Sequence, residues 1–193
     1  MCRFWFDISL RIRHNVIVNT KNGFTLIELM LVMGIVMILS VVGIGTYMQA
    51  TVKSRDTQRK SDLNQLSKAV EAFYNDVGRY PISDSQSKMY CVSKSGSTVT
   101  NTSCGSKLYA LVDGTNIEYI TIPSDPTVDR KYIYVSDGQT YAIYSSLENV
   151  NDKDLLKDGS GKVIADPWTV SCAIYGTVPC NYKITETGLI KSL

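Results

Sequence analysis

Histidine is almost missing from this 193-residue chain, and the one present is His14. No His-based triad, imidazole acid–base pair or His metal cluster can therefore form beyond the first 23 residues. There is no Cys-x-x-Cys spacing and no EF-hand order, and Ser160-Gly161-Lys162 lacks the spacing of a phosphate-binding loop. An excess of one charge is also missing. The 20 Lys and Arg face 18 Asp and Glu, a net charge of +2, which gives no field for nucleic acid as a main partner. No internal repeat is present, and neither a paired acid–base site nor an activated Ser is seen. The reading is of a non-enzyme.

The charge that exists is uneven. Residues 1–23 carry Arg3, Arg11, Arg13 and Lys21 against Asp7, so the remainder is close to neutral. A local basic cluster, Lys53, Arg55, Arg59 and Lys60, reads as a solvated or membrane-flanking face. Apolar residues are concentrated instead. From Phe24 to Met48, 18 of 25 residues are apolar and the one charge is Glu28. As a helix this run rises about 37 Å, enough to cross a ~30 Å hydrocarbon core. It is too long for a signal-peptide core, and no Ala-x-Ala site follows it. Basic residues flank both ends almost equally. Four downstream cysteines, which need an oxidising compartment to pair, place the C-terminal part outside.

Glu28 is costly in such a segment and marks a functional position. It stands in the sequence Asn22-Gly23-Phe24-Thr25-Leu26-Ile27-Glu28-Leu29, preceded by Lys21. This resembles the processing site of type IV pilins and type II secretion pseudopilins. The resemblance implies a leader peptide, residues 1–23, cut by a membrane-embedded prepilin peptidase between Gly23 and Phe24. It implies N-methylation of the Phe24 amine and polymerisation into a helical filament through the apolar helix. It further implies an inner-membrane assembly platform and an assembly ATPase as partners. Glu28 would be the assembly residue, the one charge able to neutralise the new amine in a low-dielectric setting. Gly34, Gly43 and Gly45 are notches that let helices approach. Many relatives carry a proline near Gly45, and this chain does not. No Met lies between Met1 and Met30, so translation is expected to start at Val16 or Val18 instead.

After a filament-core segment at 24–52, a helical continuation is expected over 53–78. Leu63, Leu66, Val70, Phe73 and Val77 recur at spacings of 3 and 4, forming with Tyr74 a stripe about 100° wide that packs on a sheet. Gly78 caps the helix and Pro81 blocks continuation. Asn75–Pro81 also resembles the helix exit of major pseudopilins and many pilins. The fold class is thus α+β: a long N-terminal helix on a small antiparallel sheet, type IV pilin-like, with residues 79–193 as the head.

Within the head, 83–106 reads as a Ser/Thr/Gly/Asn-rich loop and Lys107–Val112 as a short helix ended by Asp113-Gly114. Ile117–Ile122 is β-like. Lys131–Val135 and Thr140–Ser145 form a hairpin, and Asn181–Thr185 with Leu189–Leu193 form another. Tyr132, Tyr134, Tyr141 and Tyr144 read as sheet packing. Cys91, Cys104, Cys172 and Cys180 allow three pairings; Cys91–Cys104 with Cys172–Cys180 closes the shortest loops and is favoured over the others and over zinc. Glu148, Asp152 and Asp154 form a weak calcium candidate, with a solvated acidic loop the simpler reading. No cofactor is expected.

The function read here is a structural subunit of a type IV pilus, first in the cytoplasmic membrane and then in an extracellular filament. The alternatives are a major pseudopilin of type II secretion and a monomeric membrane-tethered extracytoplasmic binding domain.

Overall fold

The structure, a computed structural model, describes residues 23–164 and 171–191. The expected leader up to residue 22, with both candidate start positions, lies outside the described residues. The chain divides into two compact units, Met1–Ile44 and Gly45–Leu193.

One helix, α1 (Leu26–Val77), begins in the first unit and ends in the second. Thr25 caps it. Its carbonyl accepts from Leu29 N at 3.2 Å and its Oγ1 from Glu28 N at 3.3 Å. The first is the opening intrahelical bond, and the second satisfies a donor that a helix start leaves without an intrahelical partner. At the other end Gly78 adopts φ 86° and donates to Tyr74 O at 2.7 Å, a left-handed cap that a side chain would strain.

In the first unit the described side chains of the helix, residues 26–41, are exposed, Ile27 to 77%, and so is Phe24 just before it, to 84%. By length and composition it can cross a membrane. In the second unit the 3–4 spacing governs. Leu63, Leu66, Val70, Phe73 and Val77 are buried, whereas Tyr74 is exposed and stacks beside Tyr80. The apolar stripe is therefore narrower than the sequence suggested.

Two four-stranded sheets cover that stripe. The first is β1 (Tyr90–Ser95), β2 (Thr98–Ser103), β3 (Lys107–Val112) and β4 (Thr115–Thr121), ordered β2-β1-β3-β4 with β1 and β3 parallel. The second is the antiparallel meander β5 (Ile133–Ser136), β6 (Tyr141–Ser145), β7 (Tyr182–Thr185) and β8 (Gly188–Ile190). Leu108 and Ala110 from one sheet and Tyr134, Ile143 and Ile184 from the other share one core with the helix. Phe73, wholly buried, contributes about 2–3 kcal/mol of transfer free energy by itself.

Two expectations are corrected. Lys107–Val112 is a strand, not a helix: its burial alternates, and Asp113 (φ 48°) with Gly114 (φ 84°) forms a two-residue hairpin turn to β4 rather than a helix stop. Residues 83–106 are not a loop throughout, since they contain β1 and β2. Every β2 residue is exposed, so no apolar alternation marks it.

Cys91 is bonded to Cys104 (Cα–Cα 4.8 Å) and Cys172 to Cys180 (Cα–Cα 5.3 Å). The first staples β1 to the end of β2. The second sits with Ile133 and Tyr144 in a small separate cluster on the second sheet.

Candidate functional site

Phe24, Thr25 and Glu28 form the helix start. The Thr-x-x-Glu spacing is a capping-box pattern, a signal carried by the sequence that the reading above passed over. It puts the Glu28 carboxylate in the first turn, at the positive end of the helix dipole. Cleavage after Gly23 would place a free amine four residues before it. Further along, a Cβ built on Gly34 or on Gly45 meets nothing within 4 Å. Packing inside the described chain gives no reason for either glycine, and each weakens the helix by ~1 kcal/mol relative to Ala.

Within the basic cluster at 53–60 Lys53 is exposed, as a solvated face requires, whereas Arg55 and Lys60 are half-buried. Arg59 is fully buried, as is Asp56 one turn earlier. The guanidinium of Arg59 donates to Asp125 Oδ2 (2.8 Å, from Nε) and Oδ1 (2.9 Å), and to Asp56 Oδ1, Glu148 Oε1 and Thr127 Oγ1 (each 2.8 Å). All five of its N–H groups are thereby used. Arg55 forks onto both oxygens of Glu148. The Asp56 carboxylate also accepts from Glu148 N (2.9 Å) and Asn149 N (2.8 Å), fixing the loop's backbone on the helix. Lys60 Nζ lies between Asp152 Oδ1 (2.6 Å) and Asp154 Oδ2 (2.9 Å), and Lys191 reaches Asp154 Oδ1 at 2.8 Å.

The acidic loop and the basic cluster, read separately as two solvated features, are thus one interaction. The three calcium candidates take different partners: Glu148 faces the two arginines, and Asp152 and Asp154 share Lys60. Among the described residues no group of three or more His, Cys, Asp or Glu side chains comes together to hold a metal ion.

Tyrosine hydroxyls tie the sheets to the helix acids. Tyr132 donates to Asp62 (2.8 Å), Tyr141 to Glu71 (3.0 Å) and Tyr119 to Asp76 (2.7 Å). Burial, then the neighbouring Glu71 carboxylate, pushes Tyr80 up to about 12, so it remains a neutral donor at any physiological pH.

Glu148 and Asp154 titrate low. The hydrogen bond from Arg55, opposed by burial and helped by Arg59, holds Glu148 at about 2 against an ordinary 4.5. Hydrogen bonds from Lys191 and Lys60 hold Asp154 at about 2 against 3.8. Because both values fall on folding, the stability they supply is complete above the ordinary values and is lost as pH drops through about 2. Pepsin is expected to leave the buried Leu155–Leu156 bond intact at pH ~4 and to cut it increasingly as pH approaches ~2. Rapid cleavage there at the higher pH would mean that the brace does not hold the loop.

The helix start and fold together define a chain similar to type IV pilins. Residues 18–44 match the family model described as the prokaryotic N-terminal methylation motif. The chain is 27% identical over 179 residues to the type IV major alpha-pilin of Moraxella bovis, which covers 90% of this chain and 99% of that one. It is 36% identical over 63 residues to the type IV major pilin protein PilA of Myxococcus xanthus (strain DK1622). That second match covers 32% of this chain and 29% of the relative's length. No solved structure matches.

Proposed function

We propose that this chain is the structural subunit of a type IV pilus and has no catalytic activity of its own. A prepilin peptidase cuts between Gly23 and Phe24, the Phe24 amine is methylated, and subunits polymerise with their apolar helices inside the filament. Glu28 of one subunit neutralises the amine of a neighbour. An inner-membrane platform and an assembly ATPase supply the machinery. The subunit waits in the cytoplasmic membrane with its head outside and ends in an extracellular fibre.

One observation carries this reading. The methylation motif at 18–44 coincides with the start of a helix whose apolar side chains are exposed on all faces. Such a surface must be covered by lipid or by other helices, and the unexplained Gly34 and Gly45 suit helices. The names of both relatives favour a pilin over a secretion pseudopilin. The test is electron microscopy of filaments sheared from cells, with mass spectrometry of their subunits. N-methylated Phe24 as the first residue of filament subunits is the expected result. An uncut leader, or a protein found only as membrane-bound monomer, would overturn the proposal.

A further inference from the structure

A cavity of about 410 Å³ opens where the chain leaves the first sheet and enters the second. Small-molecule sites have volumes of about 300–1,000 Å³. Its floor is apolar, formed by Leu66 of the helix, Met89 and Ile133. Its lining also carries three cations, Lys88, Arg130 and Lys131, against one carboxylate, Asp125. That carboxylate is already committed, because both its oxygens accept from Arg59. Three positive charges therefore line one hollow, and no carboxylate among the described lining residues is left to neutralise them.

Arg130 is the anchor. Its backbone N donates to Thr127 O at 3.2 Å and its Nη1 to Ser146 O at 2.9 Å, which fix the residue without neutralising it. Its Nε is buried with no partner. A buried donor without an acceptor is costly, and such an orphan in a folded chain calls for a missing acceptor. Neither Lys88 nor Lys131 forms an ion pair among the described residues, and both are exposed at the mouth. Three hydroxyls share that mouth, those of Ser87, Ser103 and Ser124. The Ser87–Lys88 segment is held in place. Asp84 Oδ1 accepts from Gln86 N and Lys88 N, each at 2.8 Å, and Ser87 has φ 63°, a left-handed backbone that residues other than glycine seldom adopt. Strain of this kind persists where the surroundings enforce it, and it gathers at ligand clamps.

We propose that this cavity binds a hexuronic acid, with its carboxylate on the unpaired donors of Arg130. A planar guanidinium fork suits a carboxylate. The ring hydroxyls meet the serines and lysines at the mouth, and the C–H face of the sugar meets the apolar floor. Other anions match less of the lining. Inorganic phosphate leaves the apolar floor uncovered. A fatty carboxylate leaves three hydroxyls and two ammonium groups without partners. The cavity lies within the head, so the proposal stands apart from the filament reading.

The experiment uses the full-length chain in an uncharged polyether detergent, titrated with sodium glucuronate in a calorimeter. Saturable one-to-one binding with a Kd of ~1 mM or below is expected for a ligand of this size, weakening as salt rises. Glucose, which lacks the carboxylate, should bind about tenfold more weakly or worse, and Arg130→Lys, which keeps the charge and loses the fork, should weaken glucuronate about tenfold. Ser124→Trp fills the mouth from an exposed position and should abolish binding while both disulfides still form. It decides the question even if the Arg130 variant does not fold. A galacturonate trimer compared with its monomer identifies the source of the ligand. Binding about tenfold tighter assigns the site to the end of a polysaccharide, and equal binding to the free acid. The proposal is overturned if glucose binds as tightly as glucuronate, if phosphate displaces glucuronate at equal concentration, or if Ser124→Trp keeps the wild-type affinity. Absence of saturable binding below ~10 mM overturns it too.

Discussion

Glu28→Ala is expected to abolish filaments while leaving Gly23–Phe24 cleavage largely intact, because the leader and Gly23 are unchanged. A carboxylate and an ammonium placed together in a low-dielectric helix bundle neutralise one another, and deleting one member costs several kcal/mol. If each subunit offers its carboxylate to a neighbour's amine, the pair favours one axial register, and without it that preference is lost. The observed cap supplies a competing explanation: Glu28 stands at the third position of a Thr-x-x-Glu pattern, where its backbone N donates to Thr25 Oγ1 and its carboxylate complements the helix dipole. Glu28→Gln separates the two. Glutamine serves a capping box nearly as well as glutamate, so a capping role predicts filaments, whereas the charge pair predicts none. Mixed expression with wild type should permit limited incorporation. The readouts are filament counts by electron microscopy and leader removal by mass spectrometry. Normal filaments from Glu28→Ala alone would falsify the charge-register mechanism.

Arg59→Met is expected to lower the melting temperature of the detergent-solubilised protein by roughly 6–20 °C. The side chain is wholly enclosed and faces three carboxylates. Removing one partner from a buried ionic cluster costs about 3–5 kcal/mol, and each kcal/mol shifts a domain of this size by about 2–4 °C. Burial opposes the charge of Asp125, and the bonds from Arg59 and Thr127 more than offset it, leaving the carboxyl below its usual range. Without Arg59 that balance reverses. Arg59→Lys should recover only part of the loss, since three donors replace five. Lys107→Ala is the control: its pair with Glu118 is about half exposed on both sides and should contribute only about 0–1 kcal/mol. A shift for Arg59→Met no larger than that of the control would mean that the cluster does not hold the head together.

What the sequence made legible followed from periodicity. The stripe from Leu63 to Val77, the Gly78 cap and the two hairpins around Gly138 and Gly188 rest on local rules, and those rules were enough. The processing motif was legible because cleavage signal, Glu28 and apolar run share one register. The failures have physical causes. β2 has no buried face and therefore no alternation to detect. Asp113-Gly114 ends a helix or turns a hairpin equally well, and only the parallel partner β1 decides for a strand. Arg59 was misplaced because charge was weighed above position. Asp56 and Arg59 extend the 3–4 spacing of the stripe backwards, which puts both on its buried face. Their partners on the head lie 66 to 93 residues away in the sequence, beyond any local pattern.

The two disulfides have a mechanical consequence. Each joins residues near in sequence, with separations of 13 and 8, and neither reaches the helix. Under tension they leave the grip between helix and sheets to the shared apolar core, the ionic brace and the tyrosine hooks. They also subtract slack. Chain enclosed by a cross-link cannot be drawn out, and at about 3.4 Å per residue, less the 4.8 and 5.3 Å that the bridges themselves span, the two loops withhold roughly 60 Å of extension from a head pulled apart by its ends. A reductant gives that length back. A fibre of such subunits would be shorter at full stretch in oxidising surroundings than in reducing ones, with every bond of its backbone unchanged.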